Sequence, residues 1–218
     1  MTDFAAARRM MVDGQVRTSD VTDLRLIAAM LEIPRERYVP PAMAALAYLD
    51  LDLPLGEGAS GRRLLKPMVL AKLIQAADVG KNDCVLDVAC GTGYSTAVLA
   101  QLAASVVALE ADTMLLRHAS EALHAIRTVT VATGELSAGW PAAAPYDVIV
   151  LNGATEIEPQ SLIQQLKDNG RLVCILGGGP ASKAVLYRRS GEEAGSRQIF
   201  DAAAQVLPGF VKPPAFAF

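Results

Sequence analysis

The sequence predicts an α/β protein with a doubly wound, Rossmann-like fold. Its sheet is expected to be mostly parallel, with an antiparallel C-terminal hairpin and a helical N-terminal appendage. From residue 84 onward, apolar runs of strand length alternate with helix-like stretches, which is typical of parallel strands joined by crossover helices. After a Gly-Gly-Gly-Pro segment at 177–180, two shorter runs flank the polar segment S-G-E-E-A-G, which predicts a hairpin. Before residue 78, apolar residues recur at helical spacing.

The chain is therefore expected to have two parts that pack as one compact unit. Residues 1–78 form a helical segment with a loop, and residues 79–218 form the sheet core. In the first part we expect helices over 5–13, 21–31, 40–48 and 67–77, a turn or short helix from Pro34, and a glycine-rich loop over 54–63. Ser19 or Asp20 is the expected cap of the second helix.

The core segments follow in the order that the alternation dictates. Strands are predicted over 84–88, 106–109, 129–132, 148–151 and 172–176, with the hairpin over 184–188 and 197–200. The first crossover helix is predicted over 94–103.

Composition narrows the functional classes. The chain has 218 residues, 52% hydrophobic and 20% charged, which favours a compact globular protein over a disordered one. A formal charge of −3 gives no basic field for nucleic acid. No apolar run reaches membrane-spanning length, and the N-terminus has no signal-peptide pattern. We expect a cytoplasmic protein that binds neither nucleic acid nor membrane.

The cysteines and histidines do not suggest a metal site. Cys84, Cys90 and Cys174 form no C-x-x-C pair and are expected to be buried free thiols in a reducing cytosol. His118 and His124 are not at metal-ligand spacing and are interpreted as surface or packing residues. We expect no metal.

The segment V-L-D-V-A-C-G-T-G-Y-S-T, residues 85–96, predicts a strand, a tight turn and a helix start. Gly91 and Gly93 allow the backbone to approach a ligand closely. A dinucleotide fingerprint would need a third glycine at the position of Thr96, and a P-loop would need a lysine, so neither fits. A plain strand-to-helix turn without a ligand is the alternative.

The turn resembles motif I of S-adenosylmethionine-dependent methyltransferases, in which an acid precedes three alternating small residues. Here these are Asp87, then Ala89, Gly91 and Gly93, with alanine in place of the first glycine. Asp87 could meet the cationic amino group of the methionine part. Glu110, at the end of the next strand about 20 residues on, could accept both ribose hydroxyls. The antiparallel end of the sheet also fits the methyltransferase form of this fold.

Several blocks resemble the protein-L-isoaspartate O-methyltransferase family over roughly residues 13 to 176. The most specific block is R-x-x-x-A-M-x-x-x-P-R-E, which begins at Arg25. Further blocks lie at 48–56, in the helix that starts at Pro67, and at 144–149 and 157–173. The resemblance implies S-adenosylmethionine as cofactor, S-adenosylhomocysteine as product, and no metal. It implies methylation of the free carboxylate of isoaspartyl residues in damaged proteins, a repair reaction.

The resemblance also implies which residues bind the cofactor. The motif around the turn contributes a continuous run and Glu110, the G-D element after the third strand appears as Gly134-Glu135, and Asn152 ends the fourth strand. The implied cofactor residues are Asp87, Val88, Ala89, Cys90, Gly91, Thr92, Gly93, Tyr94, Glu110, Gly134, Glu135 and Asn152.

The substrate loop departs from the family pattern G-x-G-Q-T-I-S-x-P, whose serine lies beside the reacting centre. Between Gly56 and Pro67 this chain is three residues longer. Counted back from Pro67, the serine position is Leu65; counted from Gly56, it is Arg62, and Ser60 falls at the threonine. Neither alignment keeps the serine.

Two interpretations of the loop remain open. Arg62, Arg63 or Lys66 could replace the lost hydroxyl by binding the acceptor carboxylate, or all three could be solvated loop charges. Ser60 could act as a relocated hydroxyl. The acceptor is accordingly a protein or peptide with an isoaspartyl residue or, alternatively, a small carboxylic acid. A non-catalytic S-adenosylmethionine-binding protein is the third hypothesis.

The C-terminal segment 207–218 is apolar and proline-rich. We expect it to pack along its own domain in extended form, with a dimer contact or a lid over the acceptor pocket as alternatives. A monomer or weak dimer is expected.

Overall fold

The computed structural model describes residues 3–56 and 61–213. Seven strands form the main sheet in the order β5-β4-β3-β6-β7-β8-β9, and β1 and β2 form a separate two-stranded hairpin. The strands are β1 Leu53–Pro54, β2 Arg63–Leu64, β3 Cys84–Val88, β4 Ser105–Glu110, β5 Val129–Thr133, β6 Tyr146–Thr155, β7 Leu166–Leu176, β8 Lys183–Ser190 and β9 Glu193–Asp201. The strands from β3 to β7 pair in parallel, and β8 and β9 are antiparallel, as the sequence predicts.

The helices pack around this sheet and in the N-terminal part. The α-helices are α1 Phe4–Met11, α2 Leu24–Glu32, α3 Pro67–Ala77, α4 Tyr94–Ala100, α5 Thr113–Leu123 and α6 Gln160–Ile163. A π-helical turn, Val12–Val16, continues α1, and short 3₁₀ segments occupy Arg17–Ser19, Arg35–Tyr38, Pro41–Leu46, Leu136–Ala138 and Pro141–Ala143. None of the helices in the described ranges combines the length and the apolar character needed to cross a membrane.

Three local predictions are corrected. Helix α2 begins at Leu24, because the side chain of Asp23, rather than Ser19 or Asp20, accepts from the free backbone N–H groups of its first turn. The expected α-helix over 40–48 is a 3₁₀ segment, in which the amide of Met43 donates to the carbonyl of Pro40, three residues back. The glycine-rich loop is the end of the β1–β2 hairpin, whose strands were not predicted.

The sheet is apolar on both faces. Val85 and Leu86 are consecutive residues of β3, so their side chains point to opposite faces. Val85 joins a large buried cluster that also contains Met11 and Met30 of the N-terminal helices, and Leu86 joins a smaller cluster on the other face. The N-terminal helices are therefore packed directly against one face of the sheet.

The strand order of the sheet reverses at β3, which places a crevice at the carboxyl ends of the strands. The chain runs outward from β3 through β4 to β5 and then returns to β6 on the other side of β3. Ligands of doubly wound folds bind outside the carboxyl ends of the strands at such a reversal. The glycine-containing turn that follows Val88 lies at this point.

The C-terminal segment packs along the end of β6. The amide of Leu207 donates to the carbonyl of Ala154 over 2.9 Å, and the amide of Glu156 donates to the carbonyl of Phe210 over 2.9 Å. Leu207 and Phe210 are buried. Leu207 and Phe210 pack against their own domain as expected, but the segment is not extended there, because Pro208 and Gly209 form a turn in which the amide of Phe210 donates to the carbonyl of Leu207. Residues 211–213 are exposed, and residues 214–218 lie outside the described ranges.

A fully buried arginine joins the N-terminal segment to the hairpin. Arg35 Nε donates to the carbonyl of Ala47 over 2.7 Å, and Nη2 donates to the carbonyl of Leu65 over 2.8 Å. Its guanidinium lies 4.8 Å from the ring centroid of Tyr94. Arg35, the arginine of the P-R-E block, therefore has a structural role, because it fixes the backbone at Leu65.

We expect Arg35→Ala to lower the free energy of unfolding by about 2–4 kcal/mol, because two buried carbonyls lose their charged donor and a cavity opens. Urea denaturation measures this. Arg37→Ala is the control, since Arg37 is exposed two residues away, and it should change stability by no more than about 0.5 kcal/mol. A similar small loss for both variants would contradict the assigned role of Arg35.

Candidate functional site

The turn after β3 has a backbone that requires small residues. Ala89, Gly91 and Gly93 all have positive φ, at 62°, 61° and 96°. A Cβ atom on Gly91 would lie 2.5 Å from Leu55 Cδ1, and one on Gly93 would lie 2.8 Å from Leu123 Cδ1. Alanine tolerates this conformation at a cost of roughly 1–2 kcal/mol. The alternating small residues are thus required by the path of the backbone.

Asp87 is buried at the end of β3 and organises the start of α4. Its Oδ2 accepts from Ser95 Oγ over 2.7 Å and from Thr96 Oγ1 over 2.5 Å, while its Oδ1 accepts from Asn152 Nδ2 over 2.6 Å. Burial raises the pKa of Asp87 to about 6, although these hydrogen bonds oppose the shift. Thr96 occupies the position where a dinucleotide-binding turn needs a glycine, and there its hydroxyl donates to Asp87.

Glu110 ends β4 and is fully buried. Its Oε2 accepts from the backbone amide of Gly91 over 2.8 Å, and its Oε1 accepts from the amides of Ala111 and Asp112 over 2.9 and 3.1 Å. The carboxylate also forms a bidentate ion pair with Arg62, in which Nη1 and Nη2 each donate over 2.8 Å. An acid predicted to face a ligand is thus engaged by a loop arginine.

Arg62 is buried, with 5% of its surface exposed. Besides Glu110, its Nη2 donates to the carbonyl of Ala89 over 3.1 Å. The interpretation of Arg62 as a solvated loop charge is wrong. Its contact with an acceptor carboxylate stays a prediction, because here the guanidinium is bound to Glu110.

The hairpin shows where the extra loop residues lie. Arg63 and Leu64 are paired with Pro54 and Leu53, and α3 begins at Pro67. Only Leu65 and Lys66 lie between the end of β2 and the start of α3, which leaves no room for three additional residues between these two elements. This favours counting back from Pro67, which makes Leu65 the serine position; Ser60 lies outside the described residues.

The three remaining loop candidates differ in environment. Leu65 is buried, with 3% of its surface exposed. Arg63 is exposed, and its Nη1 donates to the carbonyl of Asp52 over 3.1 Å. Lys66 is half-buried, and its backbone amide donates to Asp52 Oδ1 over 2.7 Å. Asp52 therefore fixes the backbone at Lys66, next to Leu65.

The remaining predicted cofactor residues in the turn have mainly structural contacts. Val88 carries a carbonyl that accepts from Asn152 Nδ2 over 3.2 Å. Thr92 Oγ1 donates to the carbonyl of Tyr38 over 2.5 Å, and the Tyr94 ring is buried beside Arg35 and Tyr38. Cys90 is buried, and burial raises the pKa of its thiol well above the usual value, so it stays protonated.

Gly134 and Glu135 follow β5 beside the end of β4. The amide of Gly134 donates to the carbonyl of Glu110 over 3.3 Å, and exposed Glu135 accepts from Ser137 Oγ over 2.5 Å. The Trp140 ring would lie 3.5 Å from a Cβ atom on Gly134, so Trp140 packs beside Gly134 at the end of β5. Sequence reasoning passed over Trp140, although a single tryptophan near the predicted site was a usable signal.

Two openings border the hairpin. One, of about 770 Å³, is lined by Tyr38, Thr92, Gly56, His118 and His124 among others, so the two histidines face a common groove. The other, of about 520 Å³, is lined by Asp52, Gly61, Arg63 and residues 203–205. Between Arg62, Leu65, Asn152 and Leu207 the free volume is about 10 Å³, which is room for one water at most.

Cysteine and metal predictions are partly tested. Cys90 and Cys174 are buried free thiols as expected, whereas Cys84 is only half-buried. Within residues 3–56 and 61–213, no group of three or more His, Cys, Asp or Glu residues could hold a metal ion.

The site residues fit an adenosine cofactor in two respects. The turn presents backbone without β-carbons at Gly91 and Gly93, and Asp87 retains a lone pair on Oδ1 beyond the hydrogen bond from Asn152. Glu110 and Asp87 both lie at the carboxyl end of neighbouring strands. The exception is that Arg62 engages both Glu110 oxygens.

Comparison with known sequences gives a consistent result. The family model described as protein-L-isoaspartate(D-aspartate) O-methyltransferase matches residues 7–205. The chain is 38% identical over 204 residues to protein-L-isoaspartate O-methyltransferase 1 of Rhodopseudomonas palustris (strain HaA2), covering 92% of this chain and 82% of the relative. It is 39% identical to the Gloeobacter violaceus protein-L-isoaspartate O-methyltransferase, covering 77% and 81% of the two chains.

Solved structures agree on the fold. One protein-L-isoaspartate O-methyltransferase has a TM-score of 0.81 at 22% identity, covering 93% of this chain and 66% of that one. A Plasmodium falciparum structure, described as a putative enzyme of this kind in complex with S-adenosyl-L-homocysteine, has a TM-score of 0.75 at 18% identity, covering 92% and 97%. With the sequence matches over most of the chain, these findings show that it belongs to the S-adenosylmethionine-dependent protein-L-isoaspartate(D-aspartate) O-methyltransferase family.

Proposed function

We propose that this chain methylates the free carboxylate of isoaspartyl residues in proteins, and that residues of the β3 turn and β4 hold the cofactor. The observation that carries the proposal is the family match over residues 7–205, because it spans both the cofactor turn and the hairpin that borders the acceptor position. The relatives named above carry this activity in their names.

The cofactor roles follow from the geometry of the turn. The backbone at Gly91 and Gly93 would lie against the cofactor, Asp87 would accept from its ammonium group, and Glu110 would accept from its ribose hydroxyls. Asn152 holds the Asp87 carboxylate in place. When bound, S-adenosylmethionine supplies an electrophilic methyl group whose bonding electrons leave with sulfur.

The acceptor chemistry asks little of the protein. A carboxylate is ionised near neutral pH and is itself the nucleophile, so no general base is needed. The chain must align the carboxylate with the methyl group and exclude water. Leu65 and Leu207 provide buried apolar surface at this position, and the two residues border the same small space.

We propose that Arg63 binds the acceptor carboxylate, with Lys66 as a weaker second candidate. Arg63 lies beside Leu65 and lines the 520 Å³ opening through which an acceptor would approach. Its Nη1 contacts only a carbonyl there, so the guanidinium keeps donors for a carboxylate. Arg63 would thus bring a guanidinium close to Leu65, the position at which the family pattern has the serine hydroxyl.

A small carboxylic acid is the second candidate acceptor. It is favoured by the apolar Leu65 at the serine position and by the narrow space beside it. We also infer a monomer or weak dimer, packed as one compact unit and acting in the reducing cytoplasm, consistent with the free thiols. Light scattering after size exclusion tests the oligomeric state; a stable higher oligomer would contradict it.

The deciding experiment compares two peptides that differ in one linkage. Purified protein is incubated with methyl-labelled S-adenosylmethionine and an isoaspartyl peptide or its normal aspartyl twin. Base-labile label on the isoaspartyl peptide alone is expected. Label on small acids but not on the peptide would support the second candidate, and no transfer to any acceptor in a lysate would support a non-catalytic protein.

We expect Arg63→Met to raise KM for the isoaspartyl peptide by about tenfold with little change in kcat, because a charge-assisted contact to the acceptor is lost. Steady-state methylation kinetics measure this. Arg188→Met is the control, since Arg188 is exposed on β8, opposite Arg171 of β7, and does not line the 520 Å³ opening. An unchanged KM for Arg63→Met would contradict its proposed contact.

We expect Leu65→Ser to raise kcat/KM on the isoaspartyl peptide, because it returns a hydroxyl to the serine position. It should also cost about 2–4 kcal/mol of stability, since a buried leucine is truncated. Leu65→Ala makes nearly the same cavity without the hydroxyl and is the matched control. Equal activity of the two variants would show that the hydroxyl has no role there.

The raised pKa of Asp87 predicts pH-dependent cofactor affinity. Below about pH 6 Asp87 is protonated and cannot pair with the ammonium group, which stays charged. S-adenosylhomocysteine should therefore bind roughly tenfold more weakly at pH 5 than at pH 7, as measured by calorimetry. Folding stability should follow the opposite pH trend to cofactor affinity. Burial favours the protonated carboxyl, so the stability that Asp87 contributes is present at low pH and is lost as pH rises through about 6.

Asp87→Asn is the control for this prediction. The amide keeps a carbonyl oxygen for Ser95 or Thr96 but does not titrate, so affinity should be weak at pH 7 and constant between pH 5 and pH 7. Equal affinity of the unsubstituted protein at both pH values would contradict the proposed contact with the ammonium group.

A further inference from the structure

The buried pair between Arg62 and Glu110 joins the acceptor hairpin to the cofactor site. Arg62 immediately precedes β2, and Glu110 is the last residue of β4, 48 positions later. The two side chains are 4% and 0% exposed. The pair is therefore a specific tertiary contact between two parts of the site.

The hydrogen-bonding capacity of Glu110 is fully used by partners within the chain. Three donors meet Oε1, from Arg62, Ala111 and Asp112, and two donors meet Oε2, from Arg62 and Gly91. A carboxylate has about four lone-pair positions in total. Two further donors from a ribose cannot be added to these five.

We propose that Arg62 binds Glu110 in place of the ribose hydroxyls when no cofactor is present, and that the guanidinium must leave Glu110 before the cofactor binds. This rests on the role of Glu110 in the proposed function. The guanidinium is a suitable substitute, because its planar fork donates two parallel hydrogen bonds to one carboxylate, as two neighbouring hydroxyls can.

Arg62 is the donor that can be exchanged. The other three donors are backbone amides of the β3 turn and of the residues after β4, so they stay with Glu110. Arg62 instead follows Gly61, whose φ is +58°, at the hairpin end. Its neighbours on the other side are Leu65, Asn152 and Leu207, which enclose almost no free volume. Withdrawal of the guanidinium would therefore also open space at the acceptor position.

Calorimetric titration with S-adenosylhomocysteine tests the competition, without any acceptor present. We expect Arg62→Met to bind about tenfold more tightly than the unsubstituted protein or better, because no ion pair has to be broken. Arg171→Met is the matched control. It removes a similar pair, with Asp83 at 2.6 Å, from the amino end of the sheet and should leave the affinity unchanged.

Equal or weaker binding by Arg62→Met would overturn the proposal, because Arg62 would then not compete with the cofactor. If this variant does not fold, Arg62→Lys serves instead, since a single ammonium cannot replace the bidentate contact and tighter binding is again expected. Unchanged affinity of the lysine variant would equally count against the competition.

Arginine modification of the unsubstituted protein gives a second readout. With phenylglyoxal and peptide mass spectrometry, Arg62 should react slowly without S-adenosylhomocysteine and several-fold faster with it. Protection of Arg62 by the nucleoside would overturn the proposal. If neither the unsubstituted protein nor any variant binds S-adenosylhomocysteine, the cofactor role of Glu110 fails, and the proposed function fails with it. Equal binding by the unsubstituted protein and all variants overturns only the competition between Arg62 and the cofactor.

Discussion

The Glu110 carboxylate is the contact on which the site depends. It accepts from the turn after β3, from the two residues after β4 and from the hairpin that precedes α3. These contacts come from three segments of the chain, and all of them converge on one buried group. Because a buried carboxylate without partners is costly, these segments stabilise one another through it.

Two carboxylates lie near each other at the ends of β3 and β4, and their partners differ in charge. Glu110 has a cationic partner, whereas Asp87 has three neutral donors. Neutral donors compensate burial less well than a cation does, and the charge of Glu110 also raises the pKa of Asp87. The site therefore holds one acid that is paired with a cation and one, Asp87, whose raised pKa of about 6 makes its charge depend on pH near neutrality.

The parts of the fold that sequence predicts well are those encoded locally. Strand β3 and helix α3 match their predicted bounds, because an apolar run and a proline at the first helical position are local signals. The pairing of Arg62 with Glu110 and of Arg35 with Leu65 was not predictable in this way. A single sequence shows that Arg35, Arg62 and Glu110 are charged, but their burial and their partners depend on contacts 48 and 30 positions apart.

The chain departs from the family pattern at Ala89, at Arg62 and at Leu65, and only the first two of these residues contact each other. Arg62 donates to the carbonyl of Ala89, so the arginine at the hairpin end and the alanine in the turn share one contact. Leu65 is different, because Arg35 fixes its backbone carbonyl while its side chain borders the small space beside Asn152 and Leu207. A change of the Leu65 side chain can therefore alter this space with the backbone held in place, whereas a change at Arg62 removes contacts to both Glu110 and the turn after β3.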